Sequence, residues 1–88
     1  MKRNNLFFLR NIGDTFFLVP SDDLEENEKR IVVLNESSAF LWKKMENSFT
    51  VDDLVIALSE RYEVSNEVAH QHVTEFISFL FENGCLNN

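Results

Sequence analysis

The sequence predicts an α+β fold, a three-stranded antiparallel sheet followed by three helices. Three observations predict it. Up to Leu34 the chain carries β-branched and aromatic runs broken by turn residues. From Asn35 onward the apolar residues recur at spacings of three and four. Each of the three periodic stretches also opens on a residue whose side chain can cap a helix: Asn35, Thr50 and Ser65. Strands first and helices afterwards is an α+β order.

The first strand is expected over 6–11 (LFFLRN) and the second over 15–20 (TFFLVP), with Ile12-Gly13-Asp14 between them. Gly beside Asp between apolar runs is a hairpin signal, because Gly takes a positive φ without steric cost. Pro20 ends the second strand, since it donates no ladder hydrogen bond. Residues 21–29 carry Asp22, Asp23, Glu25, Glu26 and Glu28 and read as a solvated loop. Arg30 to Leu34 (RIVVL) is β-branched and reads as the third strand.

The first helix, capped by Asn35, carries Ser38, Leu41, Trp42 and Met45 on one stripe; Phe40 lies off it, free to pack on the sheet or on a neighbouring helix. Asn47-Ser48 ends this helix. Thr50 and Asp53 form a capping-box-like start for the second, whose apolar face is Val51, Leu54, Val55, Leu58 and Tyr62. The third runs from Ser65 to about Asn83 with Ala69, Val73, Phe76, Ile77 and Leu80 as its main stripe. Gly84 is the expected left-handed residue beyond its end, with Cys85 placed to touch Leu80 in a Schellman ending.

The 88 residues make one domain, residues 1–88. A chain this short buries only about 60% of its unfolded surface, so most of its nine Phe, one Trp and one Tyr are needed for packing. The single Cys cannot form an internal disulfide, which fits a reducing compartment. No apolar run reaches the roughly 20 residues of a membrane helix. The stretch Leu6–Leu9 is broken by Arg10, too short for a signal peptide. A cytoplasmic protein away from membranes is expected.

Catalytic equipment is sparse. His70 and His72 are two apart, about 200° around a helix, so they cannot grip one metal. Cys85 has neither a neighbouring His nor a C-x-x-C partner, and reads as a packing residue. Two glycines make no phosphate-cradling loop. Asp52-Asp53 suit a helix N-terminus, where the macrodipole favours anions. No enzyme activity, metal or cofactor is expected.

Three helices beside a small sheet resemble a winged helix-turn-helix, whose last helix would enter the major groove. Base and phosphate contacts there come mostly from Arg and Lys. From Ser65 to Asn88 there is neither, and Glu67, Glu75 and Glu82 stand instead. With a net charge of −7, nucleic acid is not an expected partner.

Leu34-Asn35-Glu36-Ser37-Ser38-Ala39-Phe40-Leu41-Trp42, then Thr50-Val51-Asp52-Asp53-Leu54, then Val73, Phe76, Leu80 and Gly84-Cys85-Leu86 follow in order. In this the chain resembles the PqqD family, small winged-helix-like domains called RiPP recognition elements. The resemblance spans roughly residues 6–86. It implies a chaperone that binds the leader of a ribosomally made precursor peptide and presents it to a modifying enzyme, such as a radical SAM enzyme. It also implies a place: the leader docks as an added strand on the third strand, in a groove shared with the third helix. The strand side would be Arg30, Ile31, Val32, Val33 and Leu34. On the helix side, Val68, Val73, Phe76 and Phe79 would form the apolar wall, with His72 and Glu75 at a polar rim. Val73 and Phe76 also lie on the core stripe, so each has two readings. Two departures stand out: Asn47-Ser48 where the family usually has a turn Gly, and His72 where it often has Asp. Residues 30–34 contain no Pro and no interior charge, so an edge there can accept a strand. On this reading a proline at Val32 removes a donor that the ligand needs. The alternative is a winged-helix-like interaction or regulatory domain without a leader ligand.

Overall fold

The computed structural model describes residues 1–87. Its elements are β1 (Lys2–Arg3), β2 (Phe7–Ile12), β3 (Thr15–Pro20), a 3-10 turn (Glu26–Glu28), β4 (Val32–Leu34), α1 (Glu36–Lys44), α2 (Val51–Tyr62), α3 (Asn66–Glu82) and β5 (Leu86–Asn87). The expected α+β order holds: β2, β3 and β4 form an antiparallel sheet with β3 in the centre, followed by the three helices.

Gly13 sits at φ +63 in a two-residue turn closed by the pair Ile12↔Thr15. That turn sets the register, and alternation does the rest. Phe7, Leu18, Val32 and Leu34 are buried on the helix side, with Leu9 and Phe16 packed beside them. Phe8, Ile12 and Val33 point to the other face and are exposed.

The third strand is shorter than its sequence suggests. Arg30 and Ile31 precede β4, which begins at Val32. In the β3–β4 register, Leu18 faces Val32, so Arg30 would face Pro20. Proline has no N–H to give, and the ladder stops before reaching it.

The caps act as expected. The Asn35 side chain accepts from the Ser38 N–H at 2.8 Å. Thr50 and Asp53 form a reciprocal capping box. Ser65 Oγ accepts from the Val68 N–H at 3.1 Å. Each helix then buries its apolar stripe against the sheet and its neighbours; Trp42, Leu41, Leu54, Val73 and Leu80 are fully enclosed. Phe40 meets Tyr62 edge-on, with ring centroids 5.8 Å apart. Phe49, in the α1–α2 connection, is also buried, which no periodicity announces.

The end of α3 is a Schellman ending. Cys85 N–H donates to Leu80 O at 2.9 Å, and Gly84 N–H to Phe81 O at 3.2 Å, with Gly84 at φ +71. Beyond it the chain ends meet in a small clasp: β1 pairs antiparallel with β5, and Asn4 N–H donates to Cys85 O at 2.8 Å. Arg3 reaches from the clasp to the Trp42 carbonyl at 2.9 Å. Two-residue polar strands leave no period to read in the sequence.

Cys85 is enclosed by this clasp, and burial pushes its thiol up to about 11 from 9.0, the nearby Arg30 charge opposing in part. A raised pKa means that the folded chain keeps its proton where the unfolded chain has lost it. Stability therefore falls as pH rises from about 9 to about 11. Urea titrations across that range should show this decline, and Cys85→Ala should remove that part of it.

Candidate functional site

The register of the sheet decides which backbone groups are free. A two-residue hairpin makes Ile12↔Thr15 a hydrogen-bonded pair, and pairs alternate from there along an antiparallel ladder. Arg10↔Phe17 is then hydrogen-bonded, so the Phe17 backbone is committed to β2. On its other side Phe17 faces Val33, which must be a non-bonded pair. Val32 and Leu34 therefore pair with β3, while the N–H and C=O of Val33 point to the open edge. This relocates the proline test: at Val32 it would break the domain's own ladder, and at Val33 it removes the outward donor.

Beside that edge runs α3. Val33, Leu34, Asn35 and Ser38 form one wall of a cleft of about 270 Å³, and His72, Glu75, Phe76 and Phe79 form the other. Leu34 and Phe76 are buried and make its floor, while Val33 (60% exposed) and Phe79 (40% exposed) stand at its mouth. The Glu75 carboxylate accepts from Gln71 Nε2 at 3.2 Å, which holds it on the α3 surface.

His72 closes one end of this cleft. Its Nε2 lies 3.3 Å from Ser37 Oγ, which in turn donates to Asn35 Oδ1 at 3.1 Å. On the far side of His72 a second cleft of about 230 Å³ continues between Ser37, Leu58, Tyr62, Val64 and Val68. At the other end, Arg30 lines a third cleft with Phe81 and Glu82, beside Glu28 of the acidic loop. The first two meet at His72 on one side of α3, and the third lies at its C-terminal end. From Val68 to Glu82 is about 21 Å of helix axis, the length of an extended segment of about six residues.

The sequence-expected residues thus divide. Val33, Leu34, His72, Glu75, Phe76 and Phe79 converge on one cleft. Val68 and Arg30 belong to the clefts on either side. Val32 and Val73 are core and line none of the three, and Ile31 is exposed and also lines none. Asn35, Ser37 and Ser38 also line these clefts, although the sequence marks Asn35 only as a cap and Ser38 only as a stripe position. A capping residue that follows a strand is what brings a helix start to the strand's edge.

Among the described residues, no group of three or more His, Cys, Asp and Glu could hold a metal ion. None of the described helices is long and apolar enough to cross a membrane.

The family model described as coenzyme PQQ synthesis protein D (PqqD) matches residues 21–86, well over half of the chain. The chain belongs to the PqqD family. Two solved structures share its fold. TbiB1, in complex with the TbiA(beta) leader peptide, has a TM-score of 0.81 at 17% identity, covering 100% of this chain and 96% of that one. Lasso peptide synthetase B1, complexed with the leader peptide, has a TM-score of 0.77 at 16% identity, covering 99% and 96%. No curated protein matches. The matched PqqD segment begins at Ser21, after the β2–β3 hairpin, whereas both structural likenesses extend over the hairpin as well. The hairpin is therefore part of the shared architecture.

Two phenylalanines of this PqqD chain separate packing from surface. Phe76→Ala should cost about 3–5 kcal/mol of stability, as emptied core positions do. Phe79→Ala should cost about 1 kcal/mol or less, because its ring is already at the surface. Chemical denaturation of the two variants measures both.

Proposed function

We propose that this PqqD-family chain binds the leader segment of a ribosomally made precursor peptide. The leader adds as a strand to the β4 edge over α3, and the chain presents the peptide to a separate modifying enzyme without catalysing the reaction itself. The observation that carries this is the outward-facing Val33 backbone above an apolar-floored cleft. An unpaired strand edge recruits a strand through main-chain hydrogen bonds, and pockets below it select alternate side chains. The two structural neighbours, both held with leader peptides, support the reading.

Presentation acts through concentration. A leader held at β4 ties its core peptide to whatever enzyme the domain contacts, at an effective concentration reaching about millimolar for a short flexible connection. A radical SAM protein is the enzyme class that the family likeness suggests. Glu75 at the rim, with Glu28 and Glu82 at the far cleft, favours a leader with a basic residue among its apolar ones.

The test is an NMR titration with the leader of the precursor encoded nearest to this chain's gene. Amide shifts should concentrate at Val33, Asn35, His72, Glu75 and Phe79. Shifts that avoid both β4 and α3 would sink the groove. Val33→Pro should weaken binding about tenfold, as expected for one lost hydrogen bond at about 1.4 kcal/mol. Asp23→Ala, in the acidic loop, should leave the affinity unchanged.

A further inference from the structure

We propose that the opposite edge of the molecule, around the C-terminal end of α1, is a docking face for an acidic surface of a partner protein. Naming the modifying enzyme as that partner rests on the function proposed above.

The chain carries fifteen acids and eight Lys and Arg. Five of those eight cations lie over aromatic rings: Arg3 over Trp42 at 5.2 Å, Arg10 over Phe8 at 5.5 Å, Lys43 over Phe16 at 5.8 Å, Lys44 over Phe40 at 5.5 Å and Arg61 over Tyr62 at 4.9 Å. Among the described residues, only Arg61 of the five forms an ion pair, with Glu36 at 3.9 Å. The rings hold these cations in place.

Four of the five, all but Lys44, line two clefts that meet at Lys43. Lys43 and Arg61 line a cleft of about 590 Å³ between the β2–β3 turn and α1 and α2. Lys43 also lines a second cleft, of about 290 Å³, with Arg3 and Arg10. The two clefts join at Lys43 and share no residue with the cleft between β4 and α3; the first meets the Ser37–Val68 cleft only at Tyr62, and the second meets the Arg30 cleft only at Phe7. In the sheet order β2-β3-β4 the second borders the β2 edge and the first the β2–β3 turn, while the proposed leader edge is β4. A protein seated here leaves β4 free, so both partners can be held together.

The chemistry selects a protein over other anions. Asp14, Glu36 and Glu46 are interspersed among the cations in these clefts. A uniformly anionic membrane or duplex meets those carboxylates as like charges. A protein surface can set acids against the cations and avoid the carboxylates. Phe8 and Ile12, exposed beside Arg10, add apolar area of the kind that protein interfaces bury.

The experiment uses the full chain and, as probe, the purified enzyme that modifies the precursor named above. Arg10→Glu and Lys43→Glu, both at exposed positions, should each weaken enzyme binding about tenfold, the size of one lost charge pair. Glu26→Lys in the acidic loop is the control and should not weaken it. Leader affinity should be the same in all three. Unchanged enzyme affinity in both reversals overturns the proposal. So does preferential binding of phosphatidylserine vesicles or duplex DNA at about 0.15 M salt, and so does self-association that the reversals abolish. Failure of the leader to bind β4, with enzyme docking still lost in Arg10→Glu and Lys43→Glu, overturns only the leader reading.

Discussion

The register of β3 between its two neighbours is the constraint on which the rest depends. A two-residue turn at Gly13-Asp14 fixes β3 against β2, and alternation then fixes every residue of the sheet to one face or the other. Leu18 and its partner Val32 go under the helices, while Val33 goes out. The same parity commits the Val32 and Leu34 backbones inward and frees that of Val33. A slip of one residue would put Val33 into the core and turn the free donor inward. Core and binding edge are therefore two consequences of one alignment.

Much of this was legible in the sequence, for physical reasons that differ by element. The helices announced themselves through period and caps, because burial of one stripe and satisfaction of the first N–H groups are local demands. The Schellman ending was legible because a left-handed residue after a helix needs glycine, and Gly84 stands there. The third strand was overextended because strand length depends on the partner, and Pro20 lies ten residues earlier in the chain than Arg30. Phe49 and the clasp at the chain ends have no period, so only the folded chain reveals them.

The candidate groove was legible in part. A stripe along α3 can be read from spacing, yet spacing does not say which residues face a cleft and which face the core. Val73 and Phe76 share the stripe; Val73 is fully enclosed, whereas Phe76 is buried and still forms a cleft floor. The wall contributed by Asn35 and Ser38 comes from the α1 start bending back over the β4 edge, which is a tertiary fact. Charge is also distributed in a way that composition conceals. Net −7 describes the whole chain, while five of its eight cations lie over aromatic rings.

The clasp of β1 and β5 joins Lys2–Arg3 to Leu86–Asn87, close to the largest sequence separation in the described chain. Loop-closure cost grows only slowly with length, but two strands of two residues are all that repay it here. On that balance the contact should form after the hairpin and helices are in place and should be among the first to open when the native state fluctuates. Its opening would release Arg3 from the Trp42 carbonyl and uncover Cys85 while leaving the β3–β4 ladder intact. The molecule thus has a natural order of assembly and of fraying, in which the terminal latch is the most labile piece and the ligand-facing edge belongs to the part that persists.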